Sequence, residues 1–135
     1  MAQLTKGRSD STRVVLVIED DADLAKNLVT CLAADKYKSI VSSTTADATT
    51  KLSKQAFFCV LLDLKLERGT GEQVVQYMRG PTSTFNRNTP IILTSGNVSA
   101  DVLQRLKPHL YAVLVKPFDL DQLLGKLETL RAANP

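Results

Sequence analysis

Cysteine and histidine are scarce in this chain, and no apolar run in it is long. Its two cysteines, Cys31 and Cys59, each sit inside an apolar-patterned segment. Neither has a second ligand candidate close in sequence, which argues against a disulfide or thiolate metal site and reads both as reduced core thiols. The single histidine, His109, stands beside Pro108 in an expected loop. A solvated surface residue accounts for it better than a ligand or a catalytic base. The longest apolar run, Ala56–Leu62, is far too short to cross a bilayer. Residues 1–13 are polar and lack the apolar stretch of a signal peptide, so a cytoplasmic protein away from the membrane is expected. No basic run exists. Lys26, Lys36, Lys38, Lys51, Lys54, Arg79 and Arg87 are scattered, and the net charge of +3 reads as a solvated surface with no direct nucleic-acid binding. Gly69 and Gly71 are followed by no Gly-Lys-Ser/Thr, which excludes a phosphate-binding loop of that type.

What is present is the balance of one globular domain: 135 residues, 44% hydrophobic and 23% charged. Apolar runs alternate with amphipathic stretches. Arg13–Ile18, Phe57–Leu62 and Pro90–Thr94 read as buried strands, and Tyr111–Val115 as the last strand. Tyr37–Ser43 is more polar and is expected at a sheet edge. Between the strands, Asp23–Ala34 carries Leu24, Leu28, Cys31 and Leu32 on one stripe. A second helix is expected from Thr45, as its N-cap, to Gln55, a third over Glu72–Arg79, and a fourth over Ser99–Leu106 that Pro108 stops. Asp119 is expected to cap the last helix, with Gln122 at the capping-box position and Leu120, Leu123, Leu124, Leu127 and Leu130 as its core stripe. Strict alternation predicts an α/β fold, a (βα)5 doubly wound parallel sheet with helices on both faces. Residues 13–132 are expected to form the domain, 1–12 a disordered lead-in and 133–135 a tail.

In such a fold, reactive groups collect beyond the carboxyl ends of the strands. Here those ends carry Glu19, Asp20 and Asp21, then Asp63, then Thr94 and Ser95, then Lys116. Clustered carboxylates repel one another, and a hard divalent cation held by oxygen ligands, Mg2+, relieves that repulsion. The cation and the Lys116 ammonium would offset charge on a transferring phosphoryl group, and a carboxylate in such a site can itself be the nucleophile. Taken singly, the acidic run could merely cap the first helix, Lys116-Pro117 could be a routine turn, and Ser95-Gly96 a routine loop start.

Four segments, Val15-Leu-Val-Ile-Glu-Asp-Asp21, Val60-Leu-Leu-Asp-Leu-Lys-Leu66, Pro90-Ile-Ile-Leu-Thr-Ser-Gly96 and Val113-Leu-Val-Lys-Pro-Phe118, together resemble the signatures of response-regulator receiver domains of two-component signalling, the chemotaxis-type module. The resemblance implies a flavodoxin-like sheet of strand order 2-1-3-4-5. It implies Asp63 as phospho-acceptor, Asp20 as a direct Mg2+ ligand, Glu19 as one acting through water, and the Lys65 backbone carbonyl as a third protein ligand. It also implies Lys116 as the phosphoryl-contacting lysine and Ser95 as the switch hydroxyl, five residues after Pro90. Thr94 competes for that last role, although strand alternation points it the other way.

Two positions depart from the family pattern. Glu67 stands where a proline is frequent, in a loop that still ends in the usual Gly71, and Val113 stands where an aromatic residue is usual, with Tyr111 out of register. The resemblance implies a phospho-accepting module rather than an enzyme. It would be served by a histidine kinase or histidine phosphotransfer protein docking near Pro117, Phe118 and the first helix, and would act on an output partner that the sequence does not name. A phosphorylation-dependent dimer stays open, as does a receiver excised from a larger regulator with a DNA-binding or enzymatic output domain. An aspartyl phosphatase is disfavoured, since Lys65 stands where a second Asp would serve as general acid; a degenerate receiver is disfavoured by Asp20, Asp63 and Lys116.

Overall fold

The computed structural model describes residues 13–133. The expected lead-in therefore lies outside the described residues, while Ala133, assigned above to a tail, is the last residue of a helix. Five strands, β1 Val14–Ile18, β2 Lys38–Ser42, β3 Cys59–Asp63, β4 Ile91–Ser95 and β5 Ala112–Val115, form one parallel sheet of order β2-β1-β3-β4-β5. Five helices connect or follow them: α1 Ala22–Ala34, α2 Thr45–Leu52, α3 Gly71–Arg79, α4 Ala100–Leu106 and α5 Leu120–Ala133. The edge position of the polar second strand and the flavodoxin-like order are as the sequence predicts.

Strand alternation sorts the core into two layers. Leu16, Ile18, Val60, Leu62, Ile91 and Leu93 face α2, α3 and α4, where Leu52, Val74, Met78 and Leu106 meet them. Val15, Val17, Cys59, Leu61, Ile92 and Leu114 face α1 and α5, where Leu28, Leu32, Leu123, Leu127 and Leu130 meet them. Full burial of each such side chain is worth about 1.5–3 kcal/mol. Cys59 is a core thiol, pushed by burial up to about 12, and is inert at neutral pH. Cys31 is only half-buried, so the core reading fails for it. Tyr37, read as strand, is instead a buried residue just before β2, stacked on Phe58 at 5.9 Å.

Several boundaries differ for local reasons. Thr44, not Thr45, caps α2: its backbone is extended and its hydroxyl accepts from Asp47 N–H at 3.1 Å. That helix ends at Leu52 rather than Gln55, because Asn86 Nδ2 takes the Leu52 and Gln55 carbonyls at 2.8 and 2.9 Å. Thr70 caps α3 through a full capping box with Gln73, so the helix opens at Gly71. A Cβ there would stand 2.7 Å from the Asp63 carbonyl oxygen, which is why a glycine sits so close behind β3. Ser95 belongs to β4, and Pro108 lies within a single 3-10 turn, Lys107–His109, that follows α4. In α5, Gln122 Oε1 accepts from Asp119 N–H at 3.2 Å, while the Asp119 carboxylate takes Asp121 N–H instead of completing the box. Leu120 is exposed and Leu124 half-buried, so the core stripe of α5 is narrower than its leucines suggest.

Candidate functional site

Every strand that ends at the carboxyl edge delivers a polar group there. β1 is followed by Glu19, whose N–H donates to the Ser42 carbonyl at 2.9 Å, so the ladder to β2 carries one residue past the strand and holds Glu19 in place. β3 ends in Asp63, which pairs across the sheet with Thr94, and Lys116 N–H donates to the Ser95 carbonyl at 2.8 Å, extending the β4–β5 ladder in the same way. The cleft so formed is lined by Glu19, Asp20, Asp63, Lys65, Ser95 and Lys116, with Asn97 at its rim.

Lys116 Nζ bridges the two buried carboxylates, donating to Glu19 Oε1 at 2.8 Å and to Asp63 Oδ2 at 3.0 Å. The other Asp63 oxygen accepts from Lys65 N–H at 3.1 Å, and Glu19 Oε2 accepts from Asp21 N–H at 3.1 Å. Glu19 is 3% exposed and Asp63 6%. Burial pushes the Glu19 carboxyl above the usual range, with the Lys116 hydrogen bond pulling partly back and the neighbouring Asp63 charge adding to the rise. Burial pulls the Lys116 ammonium down, but the hydrogen bonds to Glu19 and Asp63 outweigh it and leave the amine above its ordinary value, hence charged.

Glu19, Asp20 and Asp63 each offer a carboxylate oxygen within 4.8 Å of the others. The set is oxygen-only, with neither thiol nor imidazole at the site, and it suits a hard cation such as Mg2+. Asp21 is not part of it: its side chain caps α1, accepting from Asp23 and Leu24 N–H at 3.0 and 3.1 Å. Ser95 lines the cleft, and Thr94, though equally buried, does not. Asn97 is a lining residue that the sequence does not single out; its only signal is its place two residues past Ser95. Beside the cleft, a groove runs between α1 and the start of α5, lined by Asp23, Leu24, Asn27, Pro117, Phe118 and Leu120. Val113 is half-buried and packs on the α4 side of the sheet.

A sequence profile of the response regulator receiver domain matches residues 15–128. The response regulator PilR of Pseudomonas aeruginosa is 28% identical over 127 residues, covering 93% of this chain and 28% of that protein. The receiver domain of HemR from Leptospira biflexa superposes with a TM-score of 0.78 at 26% identity, over 88% of this chain and 94% of that one. The receiver domain of the sensor histidine kinase PA1611 from Pseudomonas aeruginosa, solved with magnesium coordinated in its active-site cleft, superposes at 0.79 with 21% identity, over 89% of this chain and 98% of that one. This chain spans between 28% and 53% of the length of the first curated relatives it matches. No helix among the described residues is long and apolar enough to cross a membrane. With the profile covering most of the chain and the same fold in its relatives, this protein belongs to the response regulator receiver domain family, the signalling modules of two-component systems.

Proposed function

We propose that this domain accepts a phosphoryl group on Asp63 from a histidine kinase or histidine phosphotransfer protein, in the cytoplasm, and that the acyl phosphate so formed changes its affinity for an output partner. The observation that carries the reading is the Lys116 bridge to Glu19 and Asp63, with the Asp20 carboxylate alongside. An Asp63 oxygen attacks phosphorus, the bond from phosphorus to the donor imidazole nitrogen or acetate oxygen breaks, and that leaving group carries the electron pair away. Lys116 supplies a fixed positive charge beside the group being transferred. Asp20 would hold Mg2+ directly, Glu19 through water, and the Lys65 carbonyl would be the third protein ligand; the cation would supply positive charge to offset that of the phosphoryl oxygens. The domain is a phospho-acceptor and not an enzyme acting on a separate substrate. The longer length of the relatives supports a second setting for the same chemistry, a receiver joined to a DNA-binding or enzymatic output part.

The test is beryllofluoride or acetyl phosphate added with Mg2+, followed by amide chemical shifts. Saturable shifts should centre on Asp63, Lys65, Ser95 and Lys116 and vanish in Asp20→Ala. Tight Zn2+ binding at the carboxylates with no response to Mg2+ would overturn the metal reading.

Ser95 is the hydroxyl that reaches the cleft, and Val113 is too short, and too stiff at χ1, to act as a swinging ring. The response should therefore travel through the loop after Ser95 and through α4, whose one buried side chain is Leu106. Ser95→Ala is expected to uncouple phosphorylation from partner binding or dimerisation, and Val113→Ala to leave the coupling nearly intact. Amide exchange should concentrate its changes between Ser95 and Pro108. Full phosphorylation-dependent binding in the Ser95 variant would sink this route.

In this function the α1–α5 groove is where the phosphohistidine donor docks. Phe118→Ala should slow transfer from a donor protein more than transfer from acetyl phosphate. Equal slowing of both would remove Phe118 from the interface.

A further inference from the structure

The loop between β3 and α3, residues 64–70, carries Lys65, whose carbonyl is the third protein ligand in the function proposed above, yet it has Glu67 where the family pattern often has a proline. Another element stiffens it. Lys65 and Thr70 face each other in an isolated antiparallel bridge, which closes the loop on itself, and Gly71 N–H donates to the Leu64 carbonyl at 2.8 Å. Leu66, in between, is buried in the core layer under α2 and α3. The closed loop is then fastened from outside at the start of α2, where Thr44 bridges Arg68 in parallel and Thr45 makes the side-chain tether. Thr45 Oγ1 donates to the Thr70 carbonyl at 3.1 Å, and Thr45 N–H donates to the Arg68 carbonyl at 3.1 Å. Gly69, at a φ of 81°, fits against the same side chain so closely that a Cβ there would lie 2.2 Å from Thr45 Oγ1. Thr45 is itself a firm anchor: Thr44 caps its helix, and Asp47 one turn in accepts from Ser42 Oγ at 2.7 Å, locking α2 to β2.

We infer that Thr45 is a positioning residue for the cation site, its hydroxyl holding Thr70, and through the Lys65–Thr70 bridge setting where the Lys65 carbonyl points. The inference rests on the Mg2+ reading given above. It also explains why the loop can dispense with proline: rigidity comes from a hydroxyl on the neighbouring helix instead of from the loop's own covalent structure. Partners one step beyond the ligands tune metal affinity by about 10–100-fold when removed, and a tether acting through a backbone bridge belongs at the low end of that range.

The experiment is a Mg2+ titration of the whole chain, wild type against Thr45→Val and Thr45→Ser, read by the amide shifts of residues 63–70. Valine keeps the shape and removes the hydroxyl; serine keeps the hydroxyl. The dissociation constant should rise about tenfold in Thr45→Val and stay within about twofold of wild type in Thr45→Ser. In the metal-free valine variant the shifts of Lys65 and Thr70 should move while those of Lys51 and Leu52, at the far end of α2, stay put. Thr45→Ala, which relieves crowding against Gly69, should show the same tenfold loss and stands in if the valine variant does not fold. Unchanged Mg2+ affinity in the valine and alanine variants overturns the role of Thr45 and leaves the cation site intact. An equal loss in Thr45→Ser also overturns it, since the hydroxyl is then not what matters. No saturable response in wild type overturns the cation reading and this inference together.

Discussion

Asp63→Asn should abolish acid-labile phosphate incorporation from acetyl phosphate while leaving the fold intact. The amide has no anionic oxygen to attack phosphorus, so the loss is of the nucleophile itself and not of an accessory contact. Retention of the fold follows from what the substitution spares. Asn has nearly the volume of Asp, its carbonyl oxygen can still accept from Lys65 N–H, and Lys116 keeps its 2.8 Å bond to Glu19. One of two buried carboxylates sharing a single ammonium is also removed, which relieves the charge repulsion that helps hold Glu19 above its usual range. The variant should therefore melt no lower than wild type in the absence of metal. The measurement is intact-mass analysis after incubation with acetyl phosphate and Mg2+, with loss of the added mass on mild acid or base as the check for an acyl phosphate. Equal labelling of the Asp63→Asn variant, at Asp20 for instance, would show that the wrong carboxylate has been assigned.

The parts of this molecule that the sequence made legible are those where one residue type answers one physical demand. Strands buried on both faces must be apolar throughout, so β1, β3 and β4 stand out, and polar groups directly after such runs must lie at one sheet edge. That brought Glu19, Asp63, Ser95 and Lys116 together on paper as the structure brings them together in space. The family resemblance, which marks the hydroxyl five residues after Pro90, prefers Ser95 to Thr94, and Ser95 is the one that lines the cleft. What stayed hidden depends on side-chain hydrogen bonds between distant segments. Thr44 and Thr45 are adjacent threonines with equal propensity to cap; in the fold Thr44 takes the cap by accepting from Asp47 N–H, while the Thr45 hydroxyl is engaged by the Thr70 carbonyl, 25 residues on. Leu120 carries the helical spacing of its neighbours but lies at the mouth of the α1 groove, where no layer covers it. Cys31 shares the stripe of α1 with Leu28 and Leu32, yet sits at its half-exposed margin.

Asn86 is the clearest of the hidden residues, and its removal should be the most damaging polar substitution in the domain. It lies in a loop that composition describes only as polar, yet it is fully buried. Its side chain makes four hydrogen bonds: Nδ2 donates to the Leu52 and Gln55 carbonyls at 2.8 and 2.9 Å, and Oδ1 accepts from Phe57 N–H and Thr89 Oγ1, both at 2.9 Å. One amide thus joins the end of α2, the entry to β3 and the entry to β4. Asn86→Ala strands an N–H, a hydroxyl and two carbonyls in a dry interior, each at about 1–3 kcal/mol unless water enters to replace the amide. With water satisfying part of the set, a net loss of about 3–5 kcal/mol is expected, roughly 12–20 °C in Tm for a domain of this size. Asn86→Asp should do no better, because a carboxylate would face the Leu52 and Gln55 carbonyls with no proton to offer either. The damage should be to stability alone. Asn86 sits at the amino ends of the strands and Asp63 at the carboxyl end of β3, so the variant, kept well below its melting point, should take phosphate from acetyl phosphate at the wild-type rate. Thermal melts by circular dichroism, paired with labelling in the cold, separate the two readouts. A Tm within a few degrees of wild type would show that water can replace the whole network and that Asn86 is not the pin its contacts imply.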